Sequence, residues 1–424
     1  MPDRREALRE LSELLTEAAR DVKVLSALSW PEHVVEAFLQ RWRAGDRSLP
    51  TPPEPKARPD HVRERLEEVL ERADWSDPVG QLLADTADSY LRILELLDYA
   101  GTPEAHRLSR EIYGGPEARI PGSRLTNLEA ADRLLEYTSA LAAATPDEEA
   151  EYCVAPMEVA SALRSRWDGF FETPIEIVVD PDLASKAAAS ASRVRLRASA
   201  DFSANDVRQL AEHEIGVHSL TSRNGRGQPV LPSLGLGAPR TTATQEGLAT
   251  FAELVTGAID LARLRRLAYR VRAIHLAEQG ANFLQVFEWL LSIGEPPGEA
   301  ARTTMRIFRG GDVEGRHVFT KDVVYLRGLF AVHTFLRKAI AEHRPGLIAR
   351  LFVGRLTLGD VVGLEEAFED GTIAMPHYVP PWAANVRNLA AFLAFSTMID
   401  AVDLGDVELE EVHASPPIGA ADRL

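Results

Sequence analysis

The sequence has a single cysteine, Cys153, among its 424 residues. No internal disulfide can form, so the fold does not depend on an oxidising compartment. A lone thiol of this kind is expected as a small buried apolar side chain. Long apolar runs are also missing, since no stretch approaches the ~20 residues needed to span a bilayer. The start, Met1-Pro2-Asp3-Arg4-Arg5-Glu6, leads into a charged amphipathic stretch and not into a secretory apolar core. A basic excess is lacking: Asp and Glu number 64 against 47 Lys and Arg, for a formal net charge of −17, which argues against a general partner with a phosphate backbone. Net charge leaves room for a local basic cleft. There is no convincing internal repeat and no low-complexity segment. The expectation is a soluble, cytoplasmic protein with no nucleic-acid or membrane partner and an oligomeric state that the sequence leaves open.

What is present suits an enzyme. Hydrophobic residues make up 45% and charged residues 26%, ordinary for a globular chain, and the length allows two or three domains. From Arg4 to about Ala44 the spacing of Leu8, Leu11, Leu14, Leu15, Val22, Leu25 and Leu28 follows a helical period. Residues 46–60 are polar and rich in proline, as a linker or surface loop is. Helical signals resume over His61–Ala73, Pro78–Ala100 and Leu125–Ala144. The leucines between Leu82 and Leu97 are expected as core and not as a partner-binding stripe.

Around Thr145-Pro146-Asp147 the pattern changes. Met157–Phe171 reads as helix, Ile175-Glu176-Ile177-Val178-Val179 as a strand by its β-branched content, and Ala187–Ser192 as a run of small residues. Arg193-Val194-Arg195-Leu196-Arg197 alternates as a half-exposed strand does, and suits an edge beside a cleft where an extended peptide adds or an ordinary charged edge. Ser203 and Asp206 form an N-cap pair for a helix that stops near Asn224-Gly225. A Gly/Pro-rich loop over 225–240 precedes the next helix. Most of the remaining chain is helical: Asp260–Leu291, Gly298–Phe308, Asp322–Glu342, Gly346–Val353 and Asn388–Ile399. The tail from Asp403 is acidic. These signals predict an α+β fold, predominantly α-helical, with a small antiparallel or mixed sheet. The expected division is a helical region over 1–148 and a catalytic domain over 149–424.

The chemistry lies in His213-Glu214-Ile215-Gly216-Val217-His218. Two imidazoles flank a carboxylate, and a second carboxylate, Glu246, is found in Gln245-Glu246-Gly247-Leu248-Ala249. Zinc takes histidine nitrogen and carboxylate oxygen, and catalytic sites keep a fourth position for water. At ~100° per residue, positions i and i+5 lie ~140° apart on a regular helix, against ~40° for i and i+4. Two rings five apart converge only if the helix widens locally, so a π-bulge is predicted between His213 and His218, eased by Gly216. Glu214 is too close along the chain to share the ion easily and suits a general base for water attack on a carbonyl. Glu246 closes the coordination sphere from a second helix, with Glu253 as its competitor on the same face. A chance His-Glu-x-x-x-His is the background against which any short motif must be weighed.

Together, His213-Glu-Ile-Gly-Val-His218 and Gln245-Glu-Gly-Leu-Ala249 resemble the QEGLA-motif family over about residues 150–340. Its bacterial members carry the label flavohaemoglobin expression-modulating, and its animal members include the microtubule-associated tyrosine carboxypeptidases. Asn224-Gly225 with Gln228-Pro229, and Arg309-Gly310-Gly311 with Phe319-Thr320-Lys321-Asp322 and Tyr325, also look like family segments. The resemblance implies a gluzincin-like zinc metallopeptidase with one Zn²⁺ on His213, His218 and Glu246 and with Glu214 as catalytic glutamate. It further implies removal of a C-terminal residue from a peptide or protein, tyrosine in the animal enzymes.

Read directly, Arg309 and Lys321 are candidates to bind a terminal carboxylate, and Tyr325 to donate to an oxyanion. The plain alternatives are a surface ion pair for the two cations and a core phenol for Tyr325. His317, His333 and His377 are expected to be structural or exposed. The rival functions are a metal-containing regulator or binding protein without hydrolysis, or an endo- or aminopeptidase.

Overall fold

A computed structural model describes residues 4–22, 24–53, 61–144, 154–183 and 185–399. Cys153, the expected boundary near 148 and the acidic tail lie outside the described residues, as do 54–60 of the proline-rich stretch. The chain is mostly helical, with one three-stranded mixed sheet.

In that sheet β1 (Glu176–Asp180) runs parallel to β3 (Arg193–Arg197), and β2 (Ala187–Ala189) pairs antiparallel with β3, giving the order β1-β3-β2. The strand Arg193–Arg197 is therefore central and not the edge expected from its sequence. Its alternation records which face is buried, not which side is paired: Val194 and Leu196 are fully buried. Arg193 and Arg195 instead reach across to Glu176 and Asp180 on β1 at 2.6 and 3.1 Å. The edges are β1 and β2, and β2 consists of three alanines, which carry no alternation to read.

Helix interiors follow the expected apolar spacing, and the breaks follow caps. The N-terminal run is three helices, Arg4–Ala19, Val24–Leu28 and Glu32–Arg43. The predicted run Asp260–Leu291 is two, Leu261–Glu278 and Phe283–Ser292. They part at Gly280, whose φ is +102°, and restart at Asn282, which caps Gln285 N–H at 2.9 Å. Helix Pro103–Tyr113 has no counterpart among the helices expected from the sequence.

The first helices are not a separate layer. Leu8, Leu11, Leu15, Leu66, Val69 and Leu83 enter the same core as Leu210, Ile215, Val217, Leu220 and Phe251. Leu82, Leu83, Leu94, Leu96 and Leu97 are all buried. Ser12 ties the first helix to the 225–240 loop: its hydroxyl donates to Ser233 Oγ at 2.7 Å and accepts from Ser233 N–H at 3.0 Å. Among the described residues no helix is long and apolar enough to cross a membrane.

Two helices, Thr242–Val255 and Val323–Ala341, meet backbone to backbone. A Cβ on Gly247 would lie 2.2 Å from the carbonyl carbon of Gly328, so only glycine permits this approach. The contact brings Glu246 to the start of the second helix, beside Lys321. Overpacking a well-filled interface costs about 1–3 kcal/mol, and Gly247→Ala is expected to lower the unfolding free energy by at least that much, read as a lower urea midpoint with an unchanged slope. An unshifted midpoint would mean that the helices are not held this close.

Candidate metal centre and cleft

Ser203 and Asp206 start the helix that carries the histidines. Ser203 Oγ accepts from Asp206 N–H at 3.1 Å, and Asp206 accepts from Ser203 N–H at 2.7 Å. After one α-helical stretch (Ala204–Leu210) the backbone widens into a π-helix over Ala211–Ser219, then closes to α over Leu220–Arg226. The widening is longer than a single-residue bulge, and its effect is the one the spacing demands. The His213 and His218 ring centroids lie 4.7 Å apart and their Nε2 atoms 3.2 Å apart. Gly216 has a packing role as well: a Cβ there would meet the Trp167 ring at 3.0 Å, and Trp167 Nε1 donates to the carbonyl of Ala211 at 3.1 Å.

Glu246 completes a triangle. Its Oε2 is 3.5 Å from His213 Nε2 and 3.7 Å from His218 Nε2. Ligands about 2.0–2.1 Å from a tetrahedral zinc lie roughly 3.3 Å from one another, so edges of 3.2, 3.5 and 3.7 Å suit that ion. Among the described residues this is the one cluster of three such ligand atoms.

The residues behind the triangle fix its chemistry. His213 Nδ1 donates to Glu253 Oε1 at 2.6 Å. In the neutral ring that bond fixes the tautomer, with the Nε2 lone pair toward the triangle. Glu253, fully buried, also accepts from Gln209 Nε2 at 2.9 Å and Arg263 Nε at 3.1 Å. It thus lies on the far side of His213, and Glu246 takes the position the two competed for. On the other flank Lys321 Nζ donates to Glu246 Oε1 at 3.2 Å, leaving Oε2 for the triangle.

Burial opposes charge at all of these groups, yet their pairing wins. Hydrogen bonds to Glu246 and Glu253 raise the pKa of His213 to about 10. Arg263 and His213 hold Glu253 down to about 2, and Lys321 with the two histidines holds Glu246 well below the usual carboxylate range. An entering metal must displace the His213 proton, because only the neutral ring ligates. Zinc binding near pH 7 is therefore expected to release about one proton, and affinity to fall about tenfold for each unit of lowered pH. Calorimetry in buffers of different ionisation enthalpy reads this directly. Uptake without proton release would contradict the assigned charge state.

The triangle opens on a cleft of about 1840 Å³ lined by Glu214, Tyr325, Lys321 and Arg309, and by β2. One end is crowded with cations. Arg306 grips Asp322 bidentately at 2.7 and 2.9 Å. Arg270 Nε and Arg309 Nη2 stand 3.6 and 3.5 Å from the same carboxylate. Three guanidiniums thus share one anion. Arg309 Nε and Nη2 and Arg270 Nε are buried without a hydrogen-bond partner. Burial pushes both Arg270 and Arg309 down to about 10. Tyr325 lies among them, with Lys321 Nζ and Arg270 Cζ 5.2 and 5.5 Å from its ring centre.

Of the residues singled out in the sequence, His213, Glu214, His218, Glu246, Arg309, Lys321 and Tyr325 all meet in this cleft. Lys321 is a buried partner of Glu246, not a surface ion pair. His317 packs against the ring of His106, His333 against Phe251, and His377 pairs with Glu172 on the surface. Arg270, Arg306 and Asp322 are not picked out as a charged cluster by their sequence. The basic positions Arg263, Arg266 and Arg270, one face of a single helix by their spacing, are the available signal.

A family model described as microtubule-associated tyrosine carboxypeptidase matches residues 36–401. No curated protein matches the chain.

Proposed function

Since the chain belongs to the microtubule-associated tyrosine carboxypeptidase family, we propose that it is a zinc-dependent carboxypeptidase that removes one residue from a peptide or protein C-terminus. A single observation supports this best: three ligand atoms converge at one place in a cleft whose end holds buried guanidinium donors with no acceptor. Buried charged donors that make no hydrogen bond and share one carboxylate among three guanidiniums are costly, and a terminal carboxylate would satisfy them bidentately.

His213 Nε2, His218 Nε2 and Glu246 Oε2 would hold the ion. Zinc bound there would supply Lewis acidity toward a carbonyl oxygen and a water. Glu214 takes the proton from the attacking water and returns it to the leaving amine. Arg309 and Arg270 receive the substrate carboxylate, while Arg306 keeps Asp322 in place between them. Lys321 orients Glu246, and Tyr325 donates at the cationic end. The edge of β2 borders the cleft, where an extended substrate adds a strand. The family description names tyrosine and microtubules; for this chain the substrate proposed is a free peptide C-terminus.

Mass spectrometry of a peptide library with varied C-termini tests this. Zinc-loaded protein is expected to shorten free-acid peptides by one residue and to spare their C-terminal amides. Internal cuts, or equal cleavage of the amides, would overturn the carboxypeptidase assignment. A charge-assisted hydrogen bond contributes about 1.5–3 kcal/mol. Arg309→Gln is therefore expected to raise KM roughly 10–100-fold with little change in kcat. An unchanged KM would remove Arg309 from the carboxylate seat.

A further inference from the structure

One cation of the cleft, Arg355, has no part in the proposed chemistry. Its backbone is pinned where the chain leaves helix Gly346–Arg350, its N–H donating to the carbonyl of Leu234 at 2.7 Å. From there the side chain turns back to the π-helix, and Nη2 donates to the carbonyl of His218 at 3.2 Å. Nη1 occupies space left by Gly237, where a Cβ would lie 2.4 Å from it. Gly237 has no left-handed φ, so the backbone does not call for glycine at that position. The guanidinium does. Nε is buried with no hydrogen-bond partner, and the group lines the cleft with Glu214 and Glu246.

The two histidines are thus secured in different ways. His213 is held through its ring, by Glu253. His218 is held through its backbone, at the carbonyl, near the point where the widened helix closes. Fixing that carbonyl fixes the rotation of the residue about the helix axis, and so the line along which its imidazole leaves the helix.

We infer that Arg355, seated in the gap left by Gly237, is a positioning residue that aims His218 at the metal triangle. The inference rests on the zinc-dependent reading of the site. Groups that orient a metal's ligands are worth about 10–100-fold in metal affinity. Gly237→Ala is informative because it keeps the charge and displaces only the tip of a flexible side chain, so the fold has little to lose.

The test is zinc affinity, measured by competition with a chromophoric chelator, of the full chain and of Arg355→Met, Arg355→Lys and Gly237→Ala, alongside the visible spectrum of each Co²⁺-loaded protein. Arg355→Met and Gly237→Ala are expected to weaken zinc roughly 10–100-fold and to shift the cobalt bands. Arg355→Lys, which keeps a donor and a charge, is expected to recover most of the affinity. If the parent binds zinc and Gly237→Ala binds it within twofold with unshifted cobalt bands, the inference falls and the zinc site stands. A parent that binds no zinc would overturn both.

Discussion

Glu214→Gln is expected to bind zinc as tightly as the parent and to cleave peptides about 10²–10⁴ times more slowly, the usual contribution of a positioned general base. The two halves of this expectation come from different atoms. Zinc affinity belongs to His213, His218 and Glu246, whose donor atoms form the triangle. Glu214 lies next to His213 in sequence and lines the cleft, but is not one of the three. Replacing its carboxylate by an amide keeps the shape and removes the proton acceptor. Zinc content measured with single-turnover rates separates the two. Turnover within tenfold of the parent would show that another group takes the proton, and loss of zinc would show that Glu214 is itself a ligand.

Asp322→Asn is expected to be the most damaging single change to the fold that leaves the triangle intact. Asp322 is 2% exposed and, among the described residues, is the one carboxylate in contact with Arg270, Arg306 and Arg309. These cations hold its pKa far below the usual carboxylate range despite burial. Removing one partner of a buried pair costs about 3–5 kcal/mol, because the remaining charge is left uncompensated. Here three guanidiniums would be left, against a total stability of about 5–15 kcal/mol for a typical domain. Urea unfolding of the zinc-free protein should show this loss. A loss under about 1 kcal/mol would mean that the cations are better solvated than their burial implies. A peptide with a free C-terminus should partly restore the variant, since its carboxylate enters the same cluster.

How much of this was legible in the sequence depended on whether a signal was local. The i,i+5 spacing of His213 and His218 is a local fact with one geometric solution, and the helix widens where that solution requires. The Ser203–Asp206 pair was legible for the same reason. Glu246 was legible through its motif but not its geometry. Nothing local says that Glu253, seven residues on, lies on the other side of His213, because that depends on the angle between two helices. The helix of Glu246 and Glu253 also packs at Gly247 against Gly328 of a third helix, Val323–Ala341, another contact between residues far apart in the chain.

Charge compensation was the least visible layer. Lys321 and Arg309 read alike in the sequence, as cations near a family segment, but their surroundings diverge in space: Lys321 donates to Glu246, whereas Arg309 buries Nε and Nη2 beside Asp322 without a hydrogen bond. Arg355 reaches His218 from the far end of the chain and depends on a glycine whose backbone does not need one. The position of Arg193–Arg197 within the sheet failed for a simpler reason. Alternation reports burial, and hydrogen-bonding neighbours leave no trace in the side chains of a three-alanine strand.

The most direct measurement is anomalous diffraction at the zinc edge from crystals of the zinc-loaded protein, paired with X-ray absorption of the same sample. One peak is expected among His213 Nε2, His218 Nε2 and Glu246 Oε2, with two nitrogens and one carboxylate oxygen at about 2.0–2.2 Å and Glu253 hydrogen-bonded behind His213. A peak elsewhere, or a zinc ion held by Glu253 in place of Glu246, would contradict the arrangement on which the proposed hydrolysis depends.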